Sequence, residues 1–269
     1  MSWIGQPDWP RERLWLWRLG FPAVCAVATA LVPIRVEGRE HLPARGGYIL
    51  ASNHISWYDP PAIEFGLRLP VRYMAKKEVF AWPIVGGIVR GIGCFPIRRG
   101  EADRRALETA LALVEAGQPL GFFPEGTRSR DGALRRARPG IGFLARRSGA
   151  PIVPLAVTGT RDVGFKVPLR TDVVIRIGAP FRARDVPGVE RMDDQGLADA
   201  VMRRVAELLP AEMRGPYASR HGFAVGAARR AIRPTWSAPA PTVRWEALAR
   251  AGRIASSPSR ATCRCPGTS

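Results

Sequence analysis

Short apolar runs alternate with stretches of helical periodicity from residue 47 to residue 209, and this alternation constrains the fold more than any other feature. A continuous apolar run bounded by turn residues predicts a strand that is buried on both faces. Apolar residues at helical spacing, such as Leu107, Leu111 and Val114, predict a helix. The alternation therefore predicts an α/β layered fold in which helices flank a mostly parallel sheet. Strands are predicted at residues 47–52, 71–75, 94–97, 119–123, 151–157 and 172–177, and helices at 101–116, 140–147 and 195–209.

The two ends of the chain differ from this central domain, which is predicted to comprise residues 35–210. Residues 1–34 contain an apolar run of 16 residues, Leu19 to Ile34, shorter than the roughly 20 residues that a membrane-spanning helix needs. Tryptophans and arginines crowd its amino-terminal side, and both suit the interface between membrane and water. The segment is therefore predicted to be a shallow, monotopic helical anchor. A secretory signal cleaved near Ala28 and a buried core helix are the alternatives.

The formal net charge of +18 predicts an anionic partner, which is nucleic acid, a membrane surface or phosphorylated small molecules. Residues 211–269 account for close to half of this charge and are rich in Arg, Pro, Ala and Ser, which predicts a basic, disordered tail. No module that reads nucleic-acid bases is recognisable. We therefore expect an anionic membrane surface and no nucleic acid. The alternative from a different class is a non-enzymatic protein that binds nucleic acid or a lipid surface.

Cysteine and histidine usage gives no indication of a metal site. The chain has four cysteines, and the spacing of Cys263 and Cys265 suits neither a disulfide framework nor a zinc site. A reducing, intracellular location is the simpler interpretation. His41 and His221 lack partners at metal-ligand spacing, so no metal is expected. No G-x-S-x-G sequence supplies a serine nucleophile, and the glycine pattern at residues 140–145 does not follow a predicted strand.

The stretch NHISWYDP, residues 53–60, places a histidine and an aspartate five positions apart after a predicted strand. In a regular helix, residues five apart are turned by about 140° from each other, so His54 and Asp59 meet only if a turn joins them. Pro60 favours such a turn, because it pushes Asp59 towards extended geometry. Two interpretations remain open. Asp59 is the N-cap of a following helix, or it orients His54 as a general base, and the two roles do not exclude each other.

Two further stretches predict anion binding at the ends of strands. FFPEGTRSRDG, residues 122–132, follows the strongest predicted strand and combines Gly126, Thr127 and two arginines that suit a phosphate. Glu125 is placed to pair with an arginine and hold the loop. GCFPIRRG, residues 93–100, is a short strand that ends in two arginines. A solvated polar turn is the alternative interpretation for each stretch.

In this order, these stretches resemble the blocks of the glycerolipid acyltransferases, typified by the enzymes that acylate 1-acyl-sn-glycerol 3-phosphate. The N-H-x4-D block is matched by residues 53–59, and the F-P-E-G-T-R-S block by residues 123–129 without a change. A middle block, glycine through apolar residues to arginine, is matched by residues 93–99, and an apolar V-P block by residues 152–155. The resemblance covers roughly residues 35–190 and does not include the tail.

The resemblance implies a catalytic role for His54 and Asp59 and a substrate-binding role for the arginine loops. His54 would remove the proton from the free hydroxyl of a lysophospholipid acceptor, and Asp59 would orient it. Substrate-binding residues implied for the acceptor's phosphate are Arg99, Glu125, Gly126, Thr127 and Arg128. The donor would be acyl-CoA or acyl-carrier protein, with no other cofactor. The implied product is phosphatidic acid of phospholipid biosynthesis, and the implied location is the cytoplasmic face of the cell membrane. Alternative acceptors are glycerol 3-phosphate, a lyso-ornithine lipid and a glycolipid.

Overall fold

The structure is a computed structural model of the 269-residue chain, and it describes residues 32–83, 86, 89, 94–97, 104–161, 163 and 172–218. The predicted membrane anchor lies outside the described residues except for residues 32–34, and so do residues 219–269 of the predicted tail. Among the described residues, no helix is both long enough and apolar enough to cross a membrane.

A seven-stranded sheet forms the centre of the domain. Its spatial order is β1-β7-β6-β2-β5-β3-β4. Every neighbouring pair is parallel except β6 and β7, which are antiparallel. The mixed, mostly parallel sheet confirms the predicted α/β class. The strands are β1 (Ile34–Glu37), β2 (Tyr48–Ser52), β3 (Arg72–Lys76), β4 (Phe95–Ile97), β5 (Pro119–Phe122), β6 (Ile152–Thr158) and β7 (Val173–Ile177).

Helices of the described residues cover both faces of this sheet. They are α1 (Asp59–Leu67), α2 (Arg104–Glu115), α3 (Gly140–Ser148) and α4 (Asp194–Glu207). The last three lie within a few residues of their predicted bounds. Helix α4 begins after Asp193, whose side chain accepts a hydrogen bond from the Gly196 N–H at 2.7 Å. Such a cap satisfies a backbone donor that the first helical turn leaves without a partner.

Two hydrophobic cores lie on opposite faces of the sheet, because side chains alternate along each strand. Ile49 and Ala51 of β2 belong to the core formed with α2, α3 and α4. Tyr48 and Leu50 belong to the other core, which contains Ile63 of α1. Strand β2 is fully buried along its length, which explains its continuous apolar sequence.

Residues 211–218 pack against the domain, although they fall in the segment predicted to be a disordered tail. Two short 3-10 turns, Ala211–Met213 and Gly215–Tyr217, follow helix α4. The buried Tyr217 hydroxyl donates to Asp199 at 2.7 Å and accepts from the Ala137 N–H at 2.9 Å. The Leu134 N–H also donates to the Met213 carbonyl at 2.8 Å. These contacts hold the segment against the domain, and composition alone does not reveal them.

Candidate active site

Three loops meet at the carboxyl ends of β2, β5 and β6, the three central strands of the sheet. Strand β2 lies between the other two and is parallel to both, with Ala51 opposite Phe122 and Ser52 opposite Leu155. The residues that follow these strands therefore emerge side by side. Ligands of α/β sheets bind beside the carboxyl ends of the strands. Residues 53–59, 123–132 and 159–160 come together there.

His54 and Asp59 are in direct contact in the first of these loops. The distance between His54 Nδ1 and Asp59 Oδ2 is 2.8 Å. The same oxygen accepts the backbone N–H groups of Ile55 at 2.7 Å and Ser56 at 2.8 Å. These bonds hold the chain from His54 to Asp59 in a tight turn, which joins two residues that a helix would separate.

The structure shows which of the two predicted roles the Asp59 side chain has. Asp59 is the first residue of α1, the N-cap is Tyr58, and among the described hydrogen bonds none joins a side-chain oxygen of Asp59 to an N–H of the first helical turn. Pro60 and Pro61 occupy that turn and have no N–H to donate to a capping oxygen. The N-cap interpretation is therefore wrong, and the orienting contact with His54 is present.

Thr160 completes the environment of Asp59, although no motif in the sequence singles it out. Its hydroxyl donates to Asp59 Oδ1, and both side chains are fully buried. Thr160 follows β6 through Gly159, whose φ of +81° is a conformation that glycine adopts readily. A Cβ at Gly159 would also lie 2.2 Å from the Asp172 carbonyl oxygen. The sequence signal that could have indicated Thr160 is its hydroxyl side chain shortly after a buried strand.

Asn53 fixes the start of the histidine loop against β6. Its side-chain amide donates to the Val157 carbonyl at 2.9 Å, and its side-chain oxygen accepts the Val157 N–H at 2.7 Å. The amide thus imitates a strand neighbour and satisfies both backbone groups of Val157. This contact gives the asparagine of the N-H-x4-D block a positioning role.

The second loop, residues 123–132, holds the backbone of His54 from the other side. Glu125 Oε1 accepts the His54 N–H at 2.8 Å, and the Ser129 N–H donates to the His54 carbonyl at 2.7 Å. Glu125 Oε2 accepts the Arg135 N–H at 2.9 Å. The Glu125 carboxyl thus contacts an arginine as predicted, but it bonds to the backbone N–H of Arg135. Burial raises the pKa of the Glu125 carboxyl to about 7, although both N–H donors oppose that rise.

Gly126, Thr127 and Arg128 lie at the same strand ends, so the structure brings six of the seven predicted site residues together. Gly126 has a φ of +67°, and a Cβ there would lie 2.8 Å from the Arg138 side chain. The Arg128 guanidinium lies over the Trp57 ring, 4.2 Å from its centroid. Arg99 lies outside the described residues. The substrate contacts of these residues stay predictions.

The remaining nitrogen of His54 is placed to act as a base. Since Nδ1 faces the Asp59 carboxylate, which only accepts, Nδ1 carries a proton, and in the neutral imidazole the lone pair is therefore on Nε2. Among the described residues, none forms a hydrogen bond with Nε2. Phe123 stacks on the ring with centroids 4.2 Å apart, which fixes the ring plane. Within the described ranges, no three His, Cys, Asp or Glu side chains are grouped to hold a metal ion.

Comparisons with known proteins show the family to which this chain is related. A family model named Acyltransferase matches residues 33–158, from β1 to the end of β6. The 1-acyl-sn-glycerol-3-phosphate acyltransferase of Bacillus subtilis is 32% identical over 181 residues, 65% of this chain and 87% of that protein. The chain belongs to the acyltransferase family. The chain is therefore an enzyme, and the His54–Asp59 pair, called the dyad below, lies within the matched region.

Two more relatives of this acyltransferase differ in what their names say. The crystal structure of the 1-acyl-sn-glycerophosphate acyltransferase PlsC from Thermotoga maritima has a TM-score of 0.57 and 25% identity, with 74% of this chain and 83% of that chain covered. The lyso-ornithine lipid O-acyltransferase of Pseudomonas aeruginosa is 33% identical over 153 residues, which is 56% of each protein. The acyltransferase family therefore contains relatives that are named for different acceptors.

Proposed function

We propose that this enzyme moves a fatty acyl group from an acyl thioester to the free hydroxyl of 1-acyl-glycerol 3-phosphate and so forms phosphatidic acid. The observation that carries the proposal is the His54–Asp59 pair, with Nδ1 bound to the carboxylate and Nε2 free of described partners. The names of the Bacillus subtilis and Thermotoga maritima relatives support this acceptor.

In the proposed reaction His54 acts first as a base and then as an acid. The acceptor oxygen attacks the thioester carbonyl carbon while Nε2 takes the hydroxyl proton. The tetrahedral intermediate then breaks its carbon–sulfur bond, and the leaving thiolate receives that proton from Nε2. An ester and a free thiol are formed, with no covalent acyl-enzyme. The thioester supplies its own leaving group, so no cofactor is needed beyond the carrier, coenzyme A or acyl-carrier protein.

Binding of the acceptor's phosphate is proposed for the arginine loops. The Arg128 side chain is exposed beside the dyad, and a guanidinium matches the geometry of phosphate oxygens. Thr127 and the backbone at Gly126 lie next to it, and Arg99 is assigned to the same phosphate from its place in the middle block. The Glu125 carboxyl serves this site indirectly, because it holds the His54 backbone and the loop together.

The enzyme is proposed to work on the cytoplasmic face of the cell membrane as a monotopic or peripheral protein. Its proposed acceptor and product stay in the bilayer, and its net charge of +18 favours anionic lipid surfaces. The tryptophan- and arginine-rich segment at residues 1–34 is the predicted anchor.

A panel of acceptors tests the proposed substrate. The acceptors are 1-acyl-glycerol 3-phosphate, glycerol 3-phosphate, a lyso-ornithine lipid and a glycolipid. Each would be given to the purified enzyme with one acyl-CoA, and in parallel with the same fatty acyl group on acyl-carrier protein. We expect the highest kcat/KM with 1-acyl-glycerol 3-phosphate. The second candidate is the lyso-ornithine lipid, favoured by the Pseudomonas aeruginosa relative. A higher kcat/KM with that lipid would replace the proposed acceptor and leave the chemistry unchanged.

A further inference from the structure

Three large aromatic side chains lie on the surface at the rim of the candidate active site. Trp57 is 57% exposed, Tyr58 47% and Trp82 50%, and these are the exposed large apolar side chains of the described residues. We call them the aromatic patch. The rings of Trp57 and Trp82 are 6.5 Å apart although they are 25 positions apart in sequence. Because the surface of a soluble domain rarely groups such rings, the patch indicates an interaction surface.

The patch is part of the catalytic loop. Trp57 and Tyr58 lie between His54 and Asp59 in the chain, and the bonds that Asp59 makes to the intervening backbone hold that turn rigid. The inward side of the turn thus forms the dyad, while its outward side presents two rings. A surface that contacts the patch therefore lies close to His54.

Basic side chains beside the patch outnumber the one acidic side chain of the same turn. The exposed Arg128 guanidinium lies over Trp57, and the exposed Lys76 and Lys77 begin the segment that ends at Trp82, which also holds Glu78, 3.6 Å from Lys76. Tryptophan and tyrosine prefer the headgroup region of a bilayer, and each nearby cation is attracted to anionic lipid. A second copy of this chain is a poor occupant, because it would bring a further net charge of +18.

We infer that the aromatic patch docks the catalytic domain on an anionic bilayer, at headgroup depth, in addition to any contact made by the N-terminal segment. The inference rests on the proposed function, since a lipid acceptor has to reach His54 from the membrane. Docking through Trp57 and Tyr58 places the turn of the dyad at the lipid headgroups, where the free hydroxyl and the phosphate of a lysophospholipid lie. The patch thus sets where the active site meets its substrate.

Quenching by brominated lipid tests the docking surface directly. The full-length wild type and the W57F/W82F variant would be bound to vesicles of equal parts phosphatidylcholine and phosphatidylglycerol, with or without bromine on the acyl-chain carbons next to the headgroups. Subtracting the variant spectrum from the wild-type spectrum isolates the emission of the two patch tryptophans. Phenylalanine keeps an apolar ring at both positions, so the variant stays bound and the subtraction is valid. W82F alone, which leaves the catalytic loop intact, is the second variant.

We expect the difference emission to shift to shorter wavelength on binding and to lose most of its intensity with brominated lipid. Difference emission that is equal with and without bromine would overturn the inference, and the patch would then belong to a protein partner such as the acyl carrier. The result does not depend on turnover. An enzyme with quenched patch tryptophans and no acyl transfer to any acceptor would refute the proposed function alone.

Discussion

Helix α1 buries two carboxyl groups, one at its first residue and one in its interior, and the two groups have different surroundings. Asp59, at the first position, is fully buried and receives hydrogen bonds from His54, Thr160 and two backbone N–H groups. Glu64, five positions later and 2% exposed, accepts the Val71 N–H at 3.2 Å. Burial raises the pKa of Glu64 to about 8, so this side chain is mainly protonated near neutral pH.

The comparison shows that burial alone does not make a catalytic carboxylate. A carboxylate is an acceptor only, and four convergent donors suit that form at Asp59. Glu64 lies near Arg72, but loss of solvent is the larger effect and disfavours its charged form. Its described hydrogen-bond partner is the Val71 N–H and not a residue of the dyad. The donors around Asp59 come from loops that converge at the carboxyl ends of β2 and β6. This convergence distinguishes the candidate active site from an isolated buried carboxyl group.

Replacing Asp59 with asparagine is the largest test of this difference. The side-chain amide of the D59N variant cannot accept four hydrogen bonds, because its NH2 group would face N–H donors and would favour the wrong histidine tautomer. We expect the acyl-transfer rate to fall by about 10²- to 10⁴-fold, the range for losing general base catalysis. Steady-state kinetics measure the rate, and a thermal melt checks the fold. Turnover equal to that of the wild type would remove Asp59 from the mechanism.

Valine in place of Thr160 removes one of the four donors and keeps the side-chain volume. Loss of one hydrogen bond to a charged group costs about 1.5–3 kcal/mol of folding stability. Because the lost donor helps to position Asp59, we also expect kcat to fall, by less than in the D59N variant. Thr160→Ser keeps the hydroxyl and is the matched control. The pH profile of kcat should change for Thr160→Val and be restored by Thr160→Ser. If both variants lost activity equally with unchanged pH profiles, Thr160 would have only a packing role.

Gln in place of Glu125 weakens the tie between the two loops. The amide has one accepting oxygen for the two N–H groups that the carboxyl receives, so we expect the unfolding free energy to fall by about 1–3 kcal/mol. The folded pKa of about 7 lies above the usual value of 4.5. The contribution of Glu125 is therefore fully present below about pH 4.5 and is lost as pH rises to about 7.

Chemical denaturation of the wild type and Glu125→Gln at several pH values measures both effects. The fall in stability that Glu125 contributes with rising pH should be absent in the variant. An identical pH dependence in the two proteins would contradict the assigned pKa of Glu125.

Gln in place of Glu64 is the matched control for Asp59→Asn and has the smallest expected effect. A neutral amide resembles the protonated carboxyl that burial favours, so we expect the acyl-transfer rate to change by less than about twofold. Because ionisation of Glu64 is costly, the variant should lose less stability than the wild type as pH rises towards 8. A rate loss as large as that of Asp59→Asn would erase the distinction between the two carboxyl groups.

Local patterns predicted much of the fold and the core of the site. His54 and Asp59 share one eight-residue stretch, and the strands next to them are continuous apolar runs. Strand β1 was not predicted because the prediction relied on continuous apolar runs, whereas its four residues alternate between half-buried and exposed. Thr160 escaped because it is 101 positions from Asp59 and becomes its neighbour only once β6 is known to lie beside β2. Tyr217 in the predicted tail reaches Ala137 across 80 positions.

The central claim is that His54 is the base and that Asp59 holds it in place. The most direct measurement is the rate of acyl transfer from acyl-CoA to 1-acyl-glycerol 3-phosphate by purified His54→Ala, beside its thermal unfolding transition. The account predicts a loss of about 10²- to 10⁴-fold in rate, with a cooperative unfolding transition retained. Turnover by the folded variant at the wild-type rate would contradict it.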